Sequence, residues 1–224
     1  VVGGQLVRGD VDIVDGVVAA VGLAGAGRGL AIPGLVDLQV NGYAGVDVLR
    51  AEPGELVELG WALARDGVLA YQPTLVTAEV GRLRDALASV GQAAQLTAPA
   101  VIIGAHLEGP FLSPDRAGAH PREHLRTPDL DLLASLLLAG CRVTMVTLAP
   151  ELDGADELVE GLHGRGIVVS LGHTDATAVQ AQAGFELGAR AVTHLFNAMR
   201  PFGHRDPGCV GAALSRESVT VMLI

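Results

Sequence analysis

The sequence predicts an α/β protein: a TIM-like (β/α)8 barrel that is incomplete at its C-terminus and is preceded by a small β element. Three observations lead to this prediction. Hydrophobic residues make up 50% of the 224 residues but aromatic residues only 3%, so the core must be aliphatic, as in parallel sheets covered by helices. From Pro33 onward, strand-like and helix-like segments alternate. The 30 glycines provide the turns between them.

The small β element covers residues 1–31. Short alternating segments predict strands at Gln5–Val7, Val11–Val14 and Val17–Val21, with a tight turn at Asp15-Gly16. So few short strands are not stable alone. We therefore predict that this element belongs to a small β-sandwich subdomain whose other strands come from elsewhere in the chain.

Residues 32–224 are predicted to form the first seven strands of the barrel. Helices are expected between them, including Pro53–Arg65 and Thr177–Leu187, the latter capped by Thr174 and Asp175. A complete barrel needs about 250 residues, and this chain ends in the apolar run VTVMLI, so we expect an eighth strand beyond residue 224. The predicted strands are Leu35–Val40, Val68–Gln72, Val101–His106, Val143–Leu148, Ile167–Leu171, Ala191–His194 and Val219–Ile224.

Charge and composition limit the partners and the chemistry. A formal net charge of −10 argues against nucleic acid or an anionic membrane as a partner, because both require a basic surface. All basic residues are arginines. Without lysine, this stretch can form neither a Schiff base nor a carbamylated lysine bridging two metal ions. We expect a small-molecule ligand.

The cellular compartment is predicted from cysteines and apolar runs. Cys141 and Cys209 lie far apart and give neither a disulfide framework nor metal-ligand spacing. No apolar run approaches the roughly 20 residues of a membrane span, and the first residues lack the basic region of a signal peptide. The sequence therefore predicts a cytoplasmic protein.

Three predicted strands end in residues that can bind a metal ion. Val101–His106 leads into Glu108, Ile167–Leu171 leads into His173, and Ala191–His194 ends on His194. Barrel enzymes assemble their active sites at the carboxyl ends of the strands. A carboxylate and two imidazoles with room for water form an open, hydrolytic zinc site. Each residue alone could equally be a satisfied polar group, but three at one rim favour a metal site.

The first barrel strand indicates how many ions are bound. Asp37, Gln39 and Asn41 alternate along it and share one face. Many hydrolytic barrels have two histidines here for a second ion, whereas Gln39 and Asn41 offer neutral amides, which are poor zinc ligands. We predict one tightly held ion, and a weak second site stays open.

Four segments together resemble the N-acetylglucosamine-6-phosphate deacetylases, a family of the amidohydrolase superfamily. In chain order they are PGLVDLQVNGYAGVDV, HLEGPFLSPDRAGAHP, SLGHTDAT and THLFNAMRPFGHRDPGCVGAAL, and they extend from Pro33 to Leu214. Each block alone is weak, but the ordered set is specific. The resemblance implies the same metal ligands, Glu108, His173 and His194, around one divalent ion, with zinc the expected metal and iron, manganese or cobalt as alternatives.

The resemblance also implies roles for residues in the loops. His120 would face the acetamide carbonyl and stabilise the developing oxyanion. Ala119, His120, Asn197, Ala198 and Arg205 would bind the substrate, with Arg205 on the phosphate. The family also uses an aspartate after the eighth strand as general base and a histidine after the seventh, and both positions would lie beyond residue 224.

The expected function of the complete enzyme is removal of the acetyl group from N-acetylglucosamine 6-phosphate, and the resemblance suggests a homodimer. Two alternatives stay open. The substrate could be another N-acyl sugar phosphate such as N-acetylgalactosamine 6-phosphate. Alternatively, the protein could bind a sugar phosphate without catalysis, which the sequence beyond residue 224 would decide.

Overall fold

The computed structural model describes residues 4–25 and 29–224. The chain divides into two compact units, residues 1–35 and 36–224. The predicted boundary between the small β element and the barrel, at residues 31/32, stays a prediction. No helix in the described ranges combines the length and the apolar character needed to cross a membrane.

The first unit contains an antiparallel hairpin of β1 (Asp10–Val14) and β2 (Val17–Leu23). Its turn has positive φ at both Asp15 (51°) and Gly16 (76°), as in the tight turns that match the twist of paired strands. The predicted strand over residues 5–7 is wrong, because only Gln5 makes an isolated bridge. Nearby glycines at positive φ, Gly4 (78°) and Gly9 (117°), interrupt the extended backbone there.

The second unit alternates strands and helices, as predicted from Pro33 onward. Its elements are, in chain order, β3 (Leu35–Val40), β4 (Gly42–Tyr43), β5 (Val46–Asp47), α1 (Pro53–Arg65), β6 (Val68–Val76), α2 (Val80–Ala93), β7 (Val101–Ile102), β8 (Ala105–Glu108), α3 (Leu130–Leu137), β9 (Val143–Leu148), α4 (Ala155–His163), β10 (Val168–Leu171), α5 (Ala178–Leu187), β11 (Ala191–Val192), α6 (Gly208–Leu214) and β12 (Thr220–Val221).

The main sheet is a curled half-barrel with the strand order β3-β6-β8-β9-β10-β11-β12. Neighbouring strands from β6 to β12 pair in parallel. This confirms the predicted incomplete barrel with seven strands. Because the strands are parallel and consecutive, their carboxyl ends meet at one mouth, and the loops that follow them form its rim.

Helix α1 shows how the sequence specifies the outer layer. Pro53 stands at its start, and Glu52 and Glu55 form a reciprocal capping box with the first backbone N–H groups. Leu56, Leu59 and Leu63 lie on its buried face at helical spacing. The structure gives α1 the predicted bounds, Pro53–Arg65.

Several predicted boundaries need correction. Strands β10, β11 and β12 are shorter than predicted, at Val168–Leu171, Ala191–Val192 and Thr220–Val221. The strand predicted over Val101–His106 is two strands, β7 and β8, separated at Gly104, whose φ of 135° interrupts the extended backbone. Strand β6 continues to Val76 instead of ending at Gln72, and its last residues pair with β8. Helix α5 is capped by Thr177 in a capping box with Gln180, not by Thr174 and Asp175.

A layer of buried polar side chains crosses the inside of the half-barrel beneath its mouth. We call it the hydroxyl layer; its members, all at most 1% exposed, are Thr74, His106, Thr147, Ser170 and Thr193. They form one hydrogen-bonded series from β6 to the end of β11, with Oγ1 of Thr74 at 3.2 Å and Oγ1 of Thr147 at 2.7 Å from the two ring nitrogens of His106. Thr193 continues it, at 2.7 Å from Thr147 and 2.6 Å from Ser170.

Candidate metal centre

Adjacent strands bring the three predicted metal ligands to the mouth. Glu108 is the last residue of β8, and His173 and His194 follow the ends of β10 and β11 by two residues. Strands β8, β9, β10 and β11 are neighbours in the sheet. Residues 65 and 86 positions apart therefore meet, and all three side chains are buried, with 3–7% exposure.

The cluster is compact enough for its members to share one ion. Oε1 of Glu108 lies 3.1 Å from Nε2 of His173 and 3.1 Å from Nε2 of His194. The two Nε2 atoms are 3.0 Å apart. Donors bonded at about 2.1 Å to one tetrahedral ion stand about 3.4 Å from each other. The three atoms thus have the mutual spacing of ligands around a single cation.

The hydrogen bond made by Nδ1 of His173 determines whether its Nε2 presents a proton or a lone pair to the cluster. Its Nδ1 lies 3.0 Å from the backbone carbonyl of Arg116, which can only accept, so Nδ1 carries a proton. In neutral His173 the lone pair is then on Nε2 and points at the carboxylate of Glu108 and at His194. Lone pairs at such short distances repel each other unless a proton or a cation lies between them. A histidine held by a backbone carbonyl is the usual arrangement of a metal ligand.

His120 joins the same cluster with the opposite tautomer. Ligand atoms of Glu108, His120 and His173 all lie within 4.8 Å of one another, a group able to hold a metal ion. Nε2 of His120 is 3.8 Å from Oε1 of Glu108, and its Nδ1 accepts a hydrogen bond from the backbone N–H of Thr77 at 3.2 Å. Neutral His120 therefore has its proton on Nε2 and offers a hydrogen-bond donor to the cluster.

The environment of Glu108 keeps its carboxylate charged. Burial raises the pKa of Glu108, but the imidazole groups of His120, His173 and His194 around its carboxylate lower it by more, so the pKa lies well below the usual range. Its second oxygen, Oε2, accepts from Nδ2 of Asn41 at 3.3 Å. Burial lowers the pKa of His194, while the adjacent carboxylate raises it, and the net shift is upward.

The backbone around the centre adopts conformations that side chains disfavour. His173, His194, Phe196 and Ala198 all have positive φ, between 31° and 77°. Such residues are uncommon, and they cluster at functional sites where the surroundings hold them in place. The ring planes of His173 and His194 are inclined by 78°, with centroids 4.8 Å apart, so their Nε2 atoms approach at an angle.

The predicted substrate-binding residues lie on loops of the rim. A Cβ added to Gly118 would come within 3.2 Å of the His173 ring and 3.6 Å of Cβ of Ala198, so the 118–120 loop and Ala198 meet over His173. Ala119 is exposed, and the amide of Asn197 donates weakly to backbone carbonyls of its own loop. The side chain of Arg205 is exposed and contacts no hydrogen-bond or ion-pair partner among the described residues.

Sequence reasoning missed several supporting groups. The carbonyl of Arg116 and the N–H of Thr77 set the tautomers of His173 and His120, and every residue has such groups, so no sequence signal marks them. Gln39, on the strand discussed for a second ion, has a buried Oε1 without a partner among the described residues. One tightly held ion stays the prediction, and a weak second site near Gln39 stays open.

The half-barrel and the carboxylate–imidazole cluster at its mouth define an amidohydrolase-like chain. No protein-family model matches it. It is 38% identical over 198 residues to N-acetylglucosamine-6-phosphate deacetylase from Bacillus subtilis, covering 86% of this chain and 50% of the relative. It is also 38% identical over 221 residues to N-acetylgalactosamine-6-phosphate deacetylase from Escherichia coli O157:H7, covering 95% and 58%.

A solved structure agrees with these relatives. The N-acetyl-D-glucosamine-6-phosphate deacetylase of Mycobacterium smegmatis, an Asp-to-Ala variant in complex with N-acetyl-D-glucosamine-6-phosphate, matches with a TM-score of 0.79 and 36% identity, over 89% of this chain and 54% of that one. The chain spans about half the length of the relatives it matches. The resemblance is confirmed: this chain is a relative of the N-acetylglucosamine-6-phosphate deacetylases.

Proposed function

We propose that the full-length protein hydrolyses the amide bond of N-acetylglucosamine 6-phosphate, releasing acetate and glucosamine 6-phosphate. The observation that carries this proposal is the convergence of Oε1 of Glu108 with Nε2 of His173 and of His194 within 3.1 Å at the mouth. The similarity to deacetylases over most of the chain supports the substrate class. A cytoplasmic location and a homodimer stay predictions from the sequence.

Glu108, His173 and His194 are the proposed ligands of one divalent ion, zinc being the expected metal and iron, manganese or cobalt the alternatives. When bound, the ion supplies a Lewis acid that polarises the amide carbonyl and lowers the pKa of water. The residues fit this role because the carboxylate stays charged and His173 directs a lone pair at the cluster. His120 also belongs to the geometric group able to hold an ion. Its proton on Nε2 argues against ligation.

His120 is the proposed partner of the acetamide oxygen. Thr77 fixes its Nδ1 as an acceptor, so Nε2–H points into the site as a donor. A donor held in a buried position stabilises the negative charge that develops on a carbonyl oxygen under attack. His120 is 6% exposed, which keeps water from competing for this hydrogen bond.

Arg205, Asn197, Ala198 and Ala119 are the proposed contacts of the sugar phosphate. In a chain with a net charge of −10, the phosphate must be recognised by a locally placed cation. Arg205 is exposed and has no competing carboxylate partner in the described part of the chain, so its guanidinium is free to form a two-pronged contact with phosphate oxygens. The family resemblance implies an aspartate as the general base.

The test is an acetate-release assay on full-length protein, combined with metal analysis. We expect one bound divalent ion per chain and faster turnover of N-acetylglucosamine 6-phosphate than of its galactosamine epimer. Faster turnover of the epimer would transfer the proposal to N-acetylgalactosamine 6-phosphate. Tight binding of either sugar phosphate by metal-loaded protein without acetate release would favour a binding protein instead.

The variant Arg205→Ala tests the phosphate contact separately. Losing a charge-assisted contact should raise KM for the phosphorylated sugar by about 10- to 100-fold, corresponding to about 1.5–3 kcal/mol. The unphosphorylated sugar should be hydrolysed as before, because Arg205 would not contact it. An equal loss with both sugars would refute the assignment of Arg205 to the phosphate.

A further inference from the structure

Four charged side chains of alternating sign join the loops of the rim. Arg116 donates from Nε and Nη2 to Oδ1 of Asp175 at 2.8 and 2.6 Å. Arg200 donates from Nη2 to Oδ2 of Asp175 at 2.9 Å and from Nη1 to Oδ2 of Asp206 at 3.1 Å. The series Arg116-Asp175-Arg200-Asp206 links the loops that follow β8, β10 and β11. We call it the rim chain.

One end of the rim chain reaches a proposed metal ligand. The carbonyl of Arg116 is the group that accepts from Nδ1 of His173. Asp175 lies two residues after His173, and its backbone N–H donates to Glu151, which also accepts from Thr174. Movement of Arg116 or Asp175 would therefore alter the orientation of the His173 ring.

The other end fixes the loop that carries Arg205. Asp206 follows Arg205 directly, and its Oδ1 accepts from the backbone N–H groups of Ala178 at 3.2 Å and Gly208 at 3.1 Å. Its backbone carbonyl accepts from Gly203 at 3.2 Å. The loop of residues 201–207 is thus anchored to the first residue of α5 and, through Arg200, to Asp175.

The ion pairs of the rim chain are too exposed to contribute much to the free energy of unfolding. The side chains of Arg116, Asp175, Arg200 and Asp206 are 28–36% exposed, and isolated pairs of this kind contribute little to folding. Their geometry is nevertheless specific. Arg200 makes three directed contacts, including Nε to the backbone carbonyl of Asp175 at 2.8 Å, which a lysine could not reproduce.

We propose that Asp175 is a positioning residue that ties the Arg205 loop to His173, so that a change at Asp175 disturbs both the proposed phosphate contact and the proposed metal ligand. This inference rests on the proposed function. Its physical basis is that Asp175 accepts from both arginines at once: one continues to Asp206 beside Arg205, and the other holds His173 through its carbonyl.

The experiment compares three isosteric variants of the full-length, metal-loaded protein. Asp175→Asn removes the charge at the junction, Asp206→Asn removes only the Arg200 pair at the Arg205 loop, and Glu186→Gln is the matched control. Glu186 pairs with Arg216 at 3.0 Å between α5 and the end of α6, away from the rim. Two readouts are needed: KM and kcat for phosphorylated and unphosphorylated N-acetylglucosamine, and the rate of metal transfer to a chromogenic chelator.

We expect a graded pattern. Asp175→Asn should raise KM for the phosphorylated sugar about 3- to 10-fold and speed metal loss by a similar factor, a moderate loss for charged hydrogen bonds that are partly screened by water. Asp206→Asn should raise KM for the phosphorylated sugar alone and leave metal loss unchanged. Glu186→Gln should match the wild type in both readouts.

Two results would overturn the proposal: metal loss and KM of Asp175→Asn equal to those of the wild type, or equal effects of Asp206→Asn on both sugars. If Asp175→Asn does not fold, Arg200→Lys replaces it, because this change keeps the charge and removes the directed contacts; unchanged KM there counts against the proposal. If the wild type hydrolyses neither sugar, the proposed function fails, while the chelator measurement still tests the link from Asp175 to His173.

Discussion

Two layers inside the half-barrel use buried histidines in opposite ways. In the hydroxyl layer, Thr74 donates to the backbone carbonyl of Gln72, so it accepts from Nδ1–H of His106. Nε2 of His106 must then accept from Thr147, Thr147 from Thr193, and Thr193 from Ser170. Every side chain has a partner, and burial lowers the pKa of His106 to about 4, which keeps it neutral.

The mouth layer, formed by Glu108, His120, His173 and His194, is not satisfied by the protein alone. Lone pairs of Glu108 and His173 face each other, and Nδ1 of His194 is buried without a partner among the described residues. Backbone strain is also concentrated there. The upper layer is therefore arranged to receive a cation, whereas the lower layer is a closed hydrogen-bonded network that gives it a rigid base.

The largest effect expected from this comparison is the loss of the mouth layer as a metal site. His173→Ala or His194→Ala in the full-length protein should abolish metal binding and lower activity by about 10³-fold or more, since the polarising ion is lost. Metal content and acetate release should be measured on the same preparations. His163→Ala on the exposed end of α4 is the control, and full activity in either site variant would contradict the ligand assignment.

A smaller effect separates the fourth member of the mouth layer from the ligands. His120→Gln should lower kcat by about 10²-fold, because a positioned donor to the carbonyl oxygen is lost. Metal content should stay as in the wild type, because Thr77 directs a protonated nitrogen of His120 into the site. Loss of the ion in this variant would instead make His120 a ligand, in line with its membership of the geometric group.

Substitutions in the hydroxyl layer should lower the free energy of unfolding and not act on the catalytic chemistry. His106→Leu leaves the Thr147 hydroxyl without its acceptor, which should lower the free energy of unfolding by about 2–4 kcal/mol, the range for breaking a buried polar network. Urea denaturation measures this, and Thr147→Val combined with His106→Leu should cost less than the sum of the two single changes. Unchanged stability with lost activity would assign His106 to the chemistry.

The sequence predicted the mouth layer better than the hydroxyl layer, for a physical reason. Strand ends followed by Glu, His and His stand out because parallel strands must bring their carboxyl ends together. Thr74, Thr147 and Thr193 do not stand out, since threonine is common in strands and its pairing depends on the strand register. The break at Gly104 and the extension of β6 to Val76 likewise depend on pairing between strands that are distant in sequence.

The smallest effect concerns two threonines, three residues apart, that the sequence assigned to the wrong roles. Thr174 was predicted to cap α5, yet its hydroxyl donates to Glu151 on the rim, and Thr177 makes the capping box with Gln180. Thr177→Ala should therefore lower the unfolding free energy by about 1 kcal/mol with metal content and KM unchanged. Thr174→Val keeps the side-chain volume but removes the hydrogen bond to Glu151. It should raise KM and leave the unfolding free energy nearly unchanged, because it frees the rim loop that follows His173. Denaturation curves and KM should be measured on both variants. The assignment of Thr177 to the helix and Thr174 to the rim is wrong if Thr174→Val alters only stability.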